Sequence, residues 1–211
     1  MDDGPRKQER TRLYYEEHAE EFVESTRDAD MSSLYAPFEE CLPAGARILD
    51  LGFGSGRDTL HFLSQGYEVV SVDNSARLVE MAKAFLPNDV RQLDFMEMEF
   101  DQEFDGIWAC AALVHCTEEG VKEALLRCGR ALKPGGILYV SFKFGRGEVF
   151  RNGRWFLDMD ESALQRTVAC MKGFEIGKTW ESADVRDQKS GRWTNALIKK
   201  SNSTDNSGAR P

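Results

Sequence analysis

ILDLGFGSGRDTLHFL, residues 48–63, is the stretch on which the fold of this 211-residue chain turns. An apolar run leads into three glycines, Gly52, Gly54 and Gly56, and these lead into a segment whose Leu60, Phe62 and Leu63 share a helical spacing. Strand, close-approach turn and helix follow one another in that order. The dinucleotide fingerprint G-x-G-x-x-G would place its last glycine at position 57, and position 57 is Arg. The spacing here is G-x-G-x-G, with Asp50 two residues ahead of it.

That carboxylate argues about the ligand. Aimed at a pyrophosphate, Asp50 would add like-charge repulsion at short range, whereas it attracts an ammonium group. A second acid, Asp73, ends the run YEVVSVD, at the place from which a carboxylate holds both ribose hydroxyls of a nucleoside. A third, Asp94 in QLDFMEM, ends the next run and stands beside the apolar Phe95, where it could accept from an exocyclic adenine amino group. Taken singly, each acid reads first as a helix cap or a turn residue. Three at successive strand ends fit a ligand with a cationic amino-acid end, a nucleoside end and no phosphate: S-adenosylmethionine.

Outward from the loop, apolar runs alternate with amphipathic segments. Strands are expected at 46–51, 67–73, 90–94, 104–110 and 136–144, with helices at 57–65, from Ser75 to about 85, and at 118–132. This alternation predicts an α/β, doubly wound, mostly parallel sheet covered on both faces. After residue 145 it breaks. A turn-rich segment, GRGEVFRNGRWFLD, precedes a helix at about 161–171, and GFEIGKTWES and RWTNALIKK then read as a hairpin on the sheet edge. Two front helices, at about 11–25 and 31–41, are expected to cap the core. The organisation expected is one domain over 1–200, with cap helices at 1–45, cofactor core at 46–144 and acceptor-side loop, helix and hairpin at 145–200. Residues 1–10 are expected to fray, and 201–211, SNSTDNSGARP, to form a disordered tail.

The net charge of −9 disfavours a general phosphate-backbone binder. No apolar run is long enough to span a membrane, and the highly charged first residues lack the apolar region of a signal peptide, so a cytoplasmic location is expected. The five cysteines show no metal-ligand spacing and read as small buried hydrophobes, with a thiol or soft-metal role for Cys110 and Cys116 as the minor alternative. Nothing in the sequence requires a metal.

ILDLGFGSGRD, VVSVDNS, LDF, FDGIWACAALVH and LKPGGILYVSFK, in that order, resemble the motif series of class I S-adenosylmethionine-dependent methyltransferases over residues 47–143. YYEEHAEEF and the late RNGRWF further resemble small bacterial tellurite-resistance-like members. The resemblance implies a seven-stranded sheet with an antiparallel hairpin edge. It carries the methionine end of the cofactor to Asp50, Gly52, Gly54 and Gly56, the ribose to Asp73, and adenine to Asp94 with Phe95. Asn74 and Ala109 complete the expected cofactor contacts, and Tyr15 and Thr26, with Tyr14, would close a lid over it. Phe53 departs from the pattern, since such loops more often hold a small residue there.

The acceptor is expected above the ends of the fourth and fifth strands. His115 is the candidate general base or acceptor ligand, with a loop-bound structural histidine as the competing reading. KFGRGEVFRNGRWF sets Lys143, Arg146, Arg151 and Arg154 against the single acid Glu148. With Trp155, these point to a small polar or anionic acceptor methylated on a heteroatom, although a solvated loop reads equally well. Phe156, Trp180 and Trp193 are further candidates for an aromatic wall. The competing functions are an RNA methyltransferase of a wobble nucleotide, a non-catalytic S-adenosylmethionine-binding regulator and, last, a dehydrogenase. Oligomeric state is not legible.

Overall fold

The computed structural model describes residues 4–186 and 191–202, with side chains from residue 7 onward. The expected tail lies outside the described residues from 203 on, as do residues 1–3.

In chain order the elements are α1 (Gly4–Glu17), α2 (Ala19–Thr26), α3 (Ser32–Glu39), β1 (Arg47–Leu51), α4 (Arg57–Ser64), β2 (Glu68–Asp73), α5 (Ala76–Lys83), β3 (Asp89–Gln92) and β4 (Phe104–Ala109). They continue with α6 (Glu118–Ala131), β5 (Leu132–Lys143), β6 (Gly147–Arg151), β7 (Arg154–Asp158), α7 (Glu161–Ala169), β8 (Phe174–Ala183) and β9 (Arg192–Lys200). Short 3₁₀ turns stand at Phe95–Glu97 and Leu113–His115. Helix starts are capped where the sequence offers an acceptor: Ser75, Thr117 and Asp160 receive the backbone N–H of Leu78, Gly120 and Ala163 at 3.2, 3.1 and 2.8 Å.

Seven strands form one sheet in the order β3-β2-β1-β4-β5-β9-β8. The first five pair in parallel, and β9 runs antiparallel to both its neighbours, which is the expected hairpin edge. Strand order reverses between β1 and β4, which opens the crevice at the strands' carboxyl ends where doubly wound sheets hold ligands. One face packs on α6 and α7 through residues such as Leu49, Ile107, Leu125 and Leu164. The other buries Phe38, Phe62 and Trp108, with Trp108 stacked on Tyr139 at 3.9 Å between ring centroids.

Three expectations are corrected. Residues 4–10 do not fray; they are the first turns of α1. Lys7 lies 4.5 Å from the centre of the Trp155 ring and pairs with Glu148, while Arg10 lies over Phe150, so contacts some 140 residues away hold a segment with little local pattern. The front helix expected at 11–25 is two helices, broken at His18. The segment after residue 145 is a second sheet, the β6–β7 hairpin, whose register pairs Gly147 with Asp158 and Arg151 with Arg154 around Asn152, at φ 49°, and Gly153. The cysteines also divide: Cys116 and Cys128 are buried as expected, whereas Cys41 and Cys170 are exposed.

Candidate active site

The crevice is a cavity of about 540 Å³, within the range of small-molecule sites, floored by the glycine loop and roofed by α1 and the β6–β7 hairpin. Gly52 stands at φ 72°, and a Cβ there would come within 2.8 Å of Ala112 Cβ, so the loop requires glycine twice over. Gly54 donates its N–H to Asp73 Oδ2 at 3.0 Å. Gly56 is not on the cavity wall: at φ 74° it turns the chain into α4 beneath Phe85 and Leu86. Phe53 folds its ring into a pocket of Val79, Ala82, Leu86 and Val90, so a bulky residue is accommodated by α5 as well as by the cavity edge.

Asp73, Asn74, Asp94 and Phe95 all line the cavity. Asp73 is fixed by the N–H groups of Gly54 and Ser75, each at 3.0 Å; burial raises its carboxyl above the ordinary range, and those backbone donors oppose the rise. Asp94 does cap the 3₁₀ turn, taking Met96 N–H at 2.9 Å, and also accepts from Asn74 Nδ2 at 3.0 Å. The structural reading of Asp94 and its place on the wall therefore coexist.

Besides Gly56, two expected contacts are not on the wall. Asp50 is 1% exposed and does not line the cavity; Thr59 Oγ1 donates to it at 2.6 Å and in turn lies 2.8 Å from Ser71 Oγ. Burial, and then the nearby Asp58 carboxylate, push Asp50 up to about 8. Ala109 is fully buried at the end of β4, and Cys110, Ala111 and Ala112 line the cavity in its place. Ala111 adopts φ 54°, a strained conformation for a residue with a Cβ, held by Ser141 Oγ accepting its N–H at 2.9 Å.

Sequence reading missed the pair that occupies the space around the loop. Arg57 Nε and Nη2 fork onto Asp58 at 2.6 and 3.0 Å, and Nη1 donates to Thr26 O at 3.2 Å, which ties α2 to α4. Asp58 also accepts from Tyr35 O–H and Trp108 Nε1, at 2.5 and 2.8 Å. The motif spelled both residues, but their partners come from α2, α3 and β4. Thr26 and Tyr15 line the cavity, as the lid expectation requires.

On the acceptor side, His115, Lys143 and Arg154 line the cavity, and Trp155 and Arg146 do not. Trp155 turns its ring to Lys7 and Phe150 outside, and its backbone carbonyl meets His115. Arg146 is exposed and pairs with Asp160. His115 Nδ1 lies 2.6 Å from Trp155 O, and a carbonyl only accepts, so Nδ1 carries the proton and Nε2 accepts from Tyr15 O–H at 3.0 Å. Arg154 Nη1 donates to the same Tyr15 oxygen at 3.0 Å. Burial lowers His115 to about 4, with the Arg154 charge adding to it, so the imidazole is neutral and its lone pair is engaged. Both ring nitrogens of His115, the expected base, are thus engaged within the protein, by Trp155 O and Tyr15 O–H. Phe156 and Trp193 also face the cavity, whereas Trp180 packs beside Tyr139. Asp184 and Arg186, from the β8–β9 connection, and Arg192, at the start of β9, join this wall without any motif to announce them.

Among the described residues, no three His, Cys, Asp or Glu side chains cluster as metal ligands, and no helix is long and apolar enough to cross a membrane.

Residues 48–136 match the methyltransferase-domain family. The Bacillus subtilis protein YqeM is 32% identical over 136 residues, covering 58% of this chain and 53% of that one. A Bradyrhizobium ubiquinone biosynthesis O-methyltransferase is 36% identical over 106 residues, covering 48% of this chain and 41% of its own. The chain thus spans about half the length of these relatives. In fold, it resembles the 1,6-didemethyltoxoflavin N1-methyltransferase of Burkholderia thailandensis, solved with its acceptor and S-adenosylhomocysteine, with TM-score 0.75, 22% identity, and coverage of 92% of this chain and 88% of that one. The [4+2]-cyclase SpnF shares the fold too, with TM-score 0.70, 17% identity, and coverage of 92% and 96%. The strand order agrees with the domain match over residues 48–136, and the chain has the fold of class I S-adenosylmethionine-dependent methyltransferases.

Proposed function

We propose that this chain transfers a methyl group from S-adenosylmethionine to a heteroatom of a small polar or anionic acceptor. The observation that carries the reading is one continuous cavity whose two ends differ in chemistry: Asp73 and Asp94 at one, Lys143 and Arg154 at the other, with the glycine loop between. The residues present fit the cofactor. The Cβ-free approach at Gly52, the backbone-fixed Asp73 and the Asn74–Asp94 pair offer a close floor, a ribose acceptor and an adenine edge. When bound, S-adenosylmethionine supplies an electrophilic methyl on a sulfonium.

The chain's own part is positioning. Thr26 from α2 covers the cofactor end and Tyr15 from α1 the acceptor end; together they exclude water and orient the partners, which supplies much of the acceleration of an in-line displacement. The cationic wall favours a nucleophile that carries negative charge. Because the cyclase neighbour shows that this fold also does other chemistry, the test is direct. Calorimetry should show saturable S-adenosylhomocysteine binding, and labelled methyl donor incubated with a metabolite extract should label a small molecule. Binding of NADH with none of S-adenosylhomocysteine would overturn the assignment.

A further inference from the structure

Among the described residues, the acceptor wall holds more positive charge than its carboxylates neutralise. Asp184 serves both Lys143, at 2.7 Å, and Arg186, at 3.2 Å; Asp158 serves Arg151 at 2.5 Å, and Glu181 serves Arg192 at 2.5 Å. Arg154 has no carboxylate within ion-pair reach among the described residues. Its guanidinium is held instead by aromatic faces, 4.6 Å from the Tyr14 ring centre and 5.3 Å from that of Phe156, and by the Tyr15 oxygen. Its Nε is buried with no hydrogen-bond partner among the described residues. A half-buried guanidinium whose Nε is shut off from water without a partner is costly unless an anion meets it.

Among the described residues, the same wall holds no free base. His115 Nε2 is taken up by the Tyr15 hydroxyl, and the Tyr15 oxygen already receives Arg154. The carboxylates nearby, Asp158 and Asp184, are engaged by Arg151, Lys143 and Arg186. Phe156 and Trp193 give the space flat apolar sides.

We propose that Arg154 binds the acceptor's nucleophilic oxygen or nitrogen as an anion, its proton released to solvent, and that the acceptor is a flat phenol-like or N–H-acidic heteroaromatic compound needing no general base. This rests on the methyltransferase reading and names its substrate class. Tyr15 and His115 are then positioning residues that aim the guanidinium.

The probe is 4-nitrophenol, whose phenolate has its own visible absorption band, added to protein saturated with S-adenosylhomocysteine. An opposite charge at contact distance should lower the ionisation midpoint of the bound probe by about one to three pH units. Arg154→Gln should return it to the free value, and Arg154→Lys should keep part of the shift, with melting curves confirming that both variants fold. The proposal is overturned if the wild-type complex leaves the probe protonated or unbound while S-adenosylhomocysteine still binds. It is overturned equally if Arg154→Gln weakens S-adenosylhomocysteine as much as the probe, which would assign the guanidinium to the cofactor's carboxylate. Failure of S-adenosylhomocysteine to bind the wild-type protein at all is a different result, and it removes the methyltransferase reading itself.

Discussion

The two ends of the cavity are built in opposite ways. At one, Asp73 and Asp94 sit at or just beyond consecutive strand ends and are held by backbone N–H groups within a few residues of themselves or of the glycine loop. At the other, Tyr15, His115, Lys143, Arg154 and Asp184 come from α1, a 3₁₀ turn, β5, β7 and the segment after β8, and hold one another across 40 to 139 residues of chain. The first end is acidic and locally determined, as suits a ligand whose nucleoside offers hydrogen-bond donors. The second is cationic and assembled from distant segments, so its specificity can change by altering a hairpin without disturbing the cofactor floor.

That division makes predictions that can break it. The largest effect is expected from Gly52→Val, which forces a β-branched residue into a positive φ and against Ala112. Positive-φ strain and overpacking together should cost about 4 kcal/mol, read as a lowered urea midpoint with no measurable S-adenosylhomocysteine binding. If the variant binds normally, the loop is not the floor.

The second concerns pH. His115 has a folded-state pKa depressed to about 4 from 6.5, so its neutral form favours folding above pH 6.5, and that contribution is lost as pH falls through about 4. Between pH 7 and 4 the wild-type should lose roughly 3 kcal/mol more stability than His115→Gln, measured by urea unfolding at both pH values. Parallel curves would show that the histidine titrates normally and that the acceptor end is looser than described.

Asp73→Ala should weaken S-adenosylhomocysteine by about 2 kcal/mol, some thirtyfold by calorimetry, since it removes both a ligand contact and the anchor of Gly54. Unchanged affinity would sink the ribose assignment. Asp50→Asn sharpens the same end. With a pKa raised to about 8, Asp50 supports the fold below pH 3.8 and ceases to as pH rises through 8, so the amide variant should gain stability relative to wild-type between pH 7 and pH 9, read by urea unfolding. Because Asp50 is not on the wall, this variant should bind S-adenosylhomocysteine within a few-fold of wild-type; complete loss of binding would restore it as a direct ligand. Arg146→Ala, at an exposed pair, should change stability by less than about 0.5 kcal/mol and leave probe binding unaltered, in contrast to Arg154→Gln.

Legibility followed the same line. Asp73, Asn74, Asp94, Phe95, Gly52 and Gly54 reach the cavity wall because strand periodicity places a strand's last residue at the sheet edge whatever the rest of the chain does. Asp50 lies off the wall because the residue two before the first glycine points from a strand interior, where Thr59, itself bonded to Ser71, meets it. Arg146 and Arg154 lie in one charge-rich segment, and composition cannot say which of two hairpin arginines turns inward. Only the β6–β7 register and the approach of α1 settle that.

By itself, then, the sequence determined the alternation of strands and helices, the glycine turn at the point of strand reversal and the acids at the strand ends, because these depend on local periodicity and backbone geometry. Tertiary structure alone decided that α1 closes over the cavity, that His115 spends its lone pair on Tyr15, and that Arg154 stands among aromatic rings. Those are contacts between segments far apart in the chain, and a hydrogen bond or a desolvated charge has no meaning until both partners are in place.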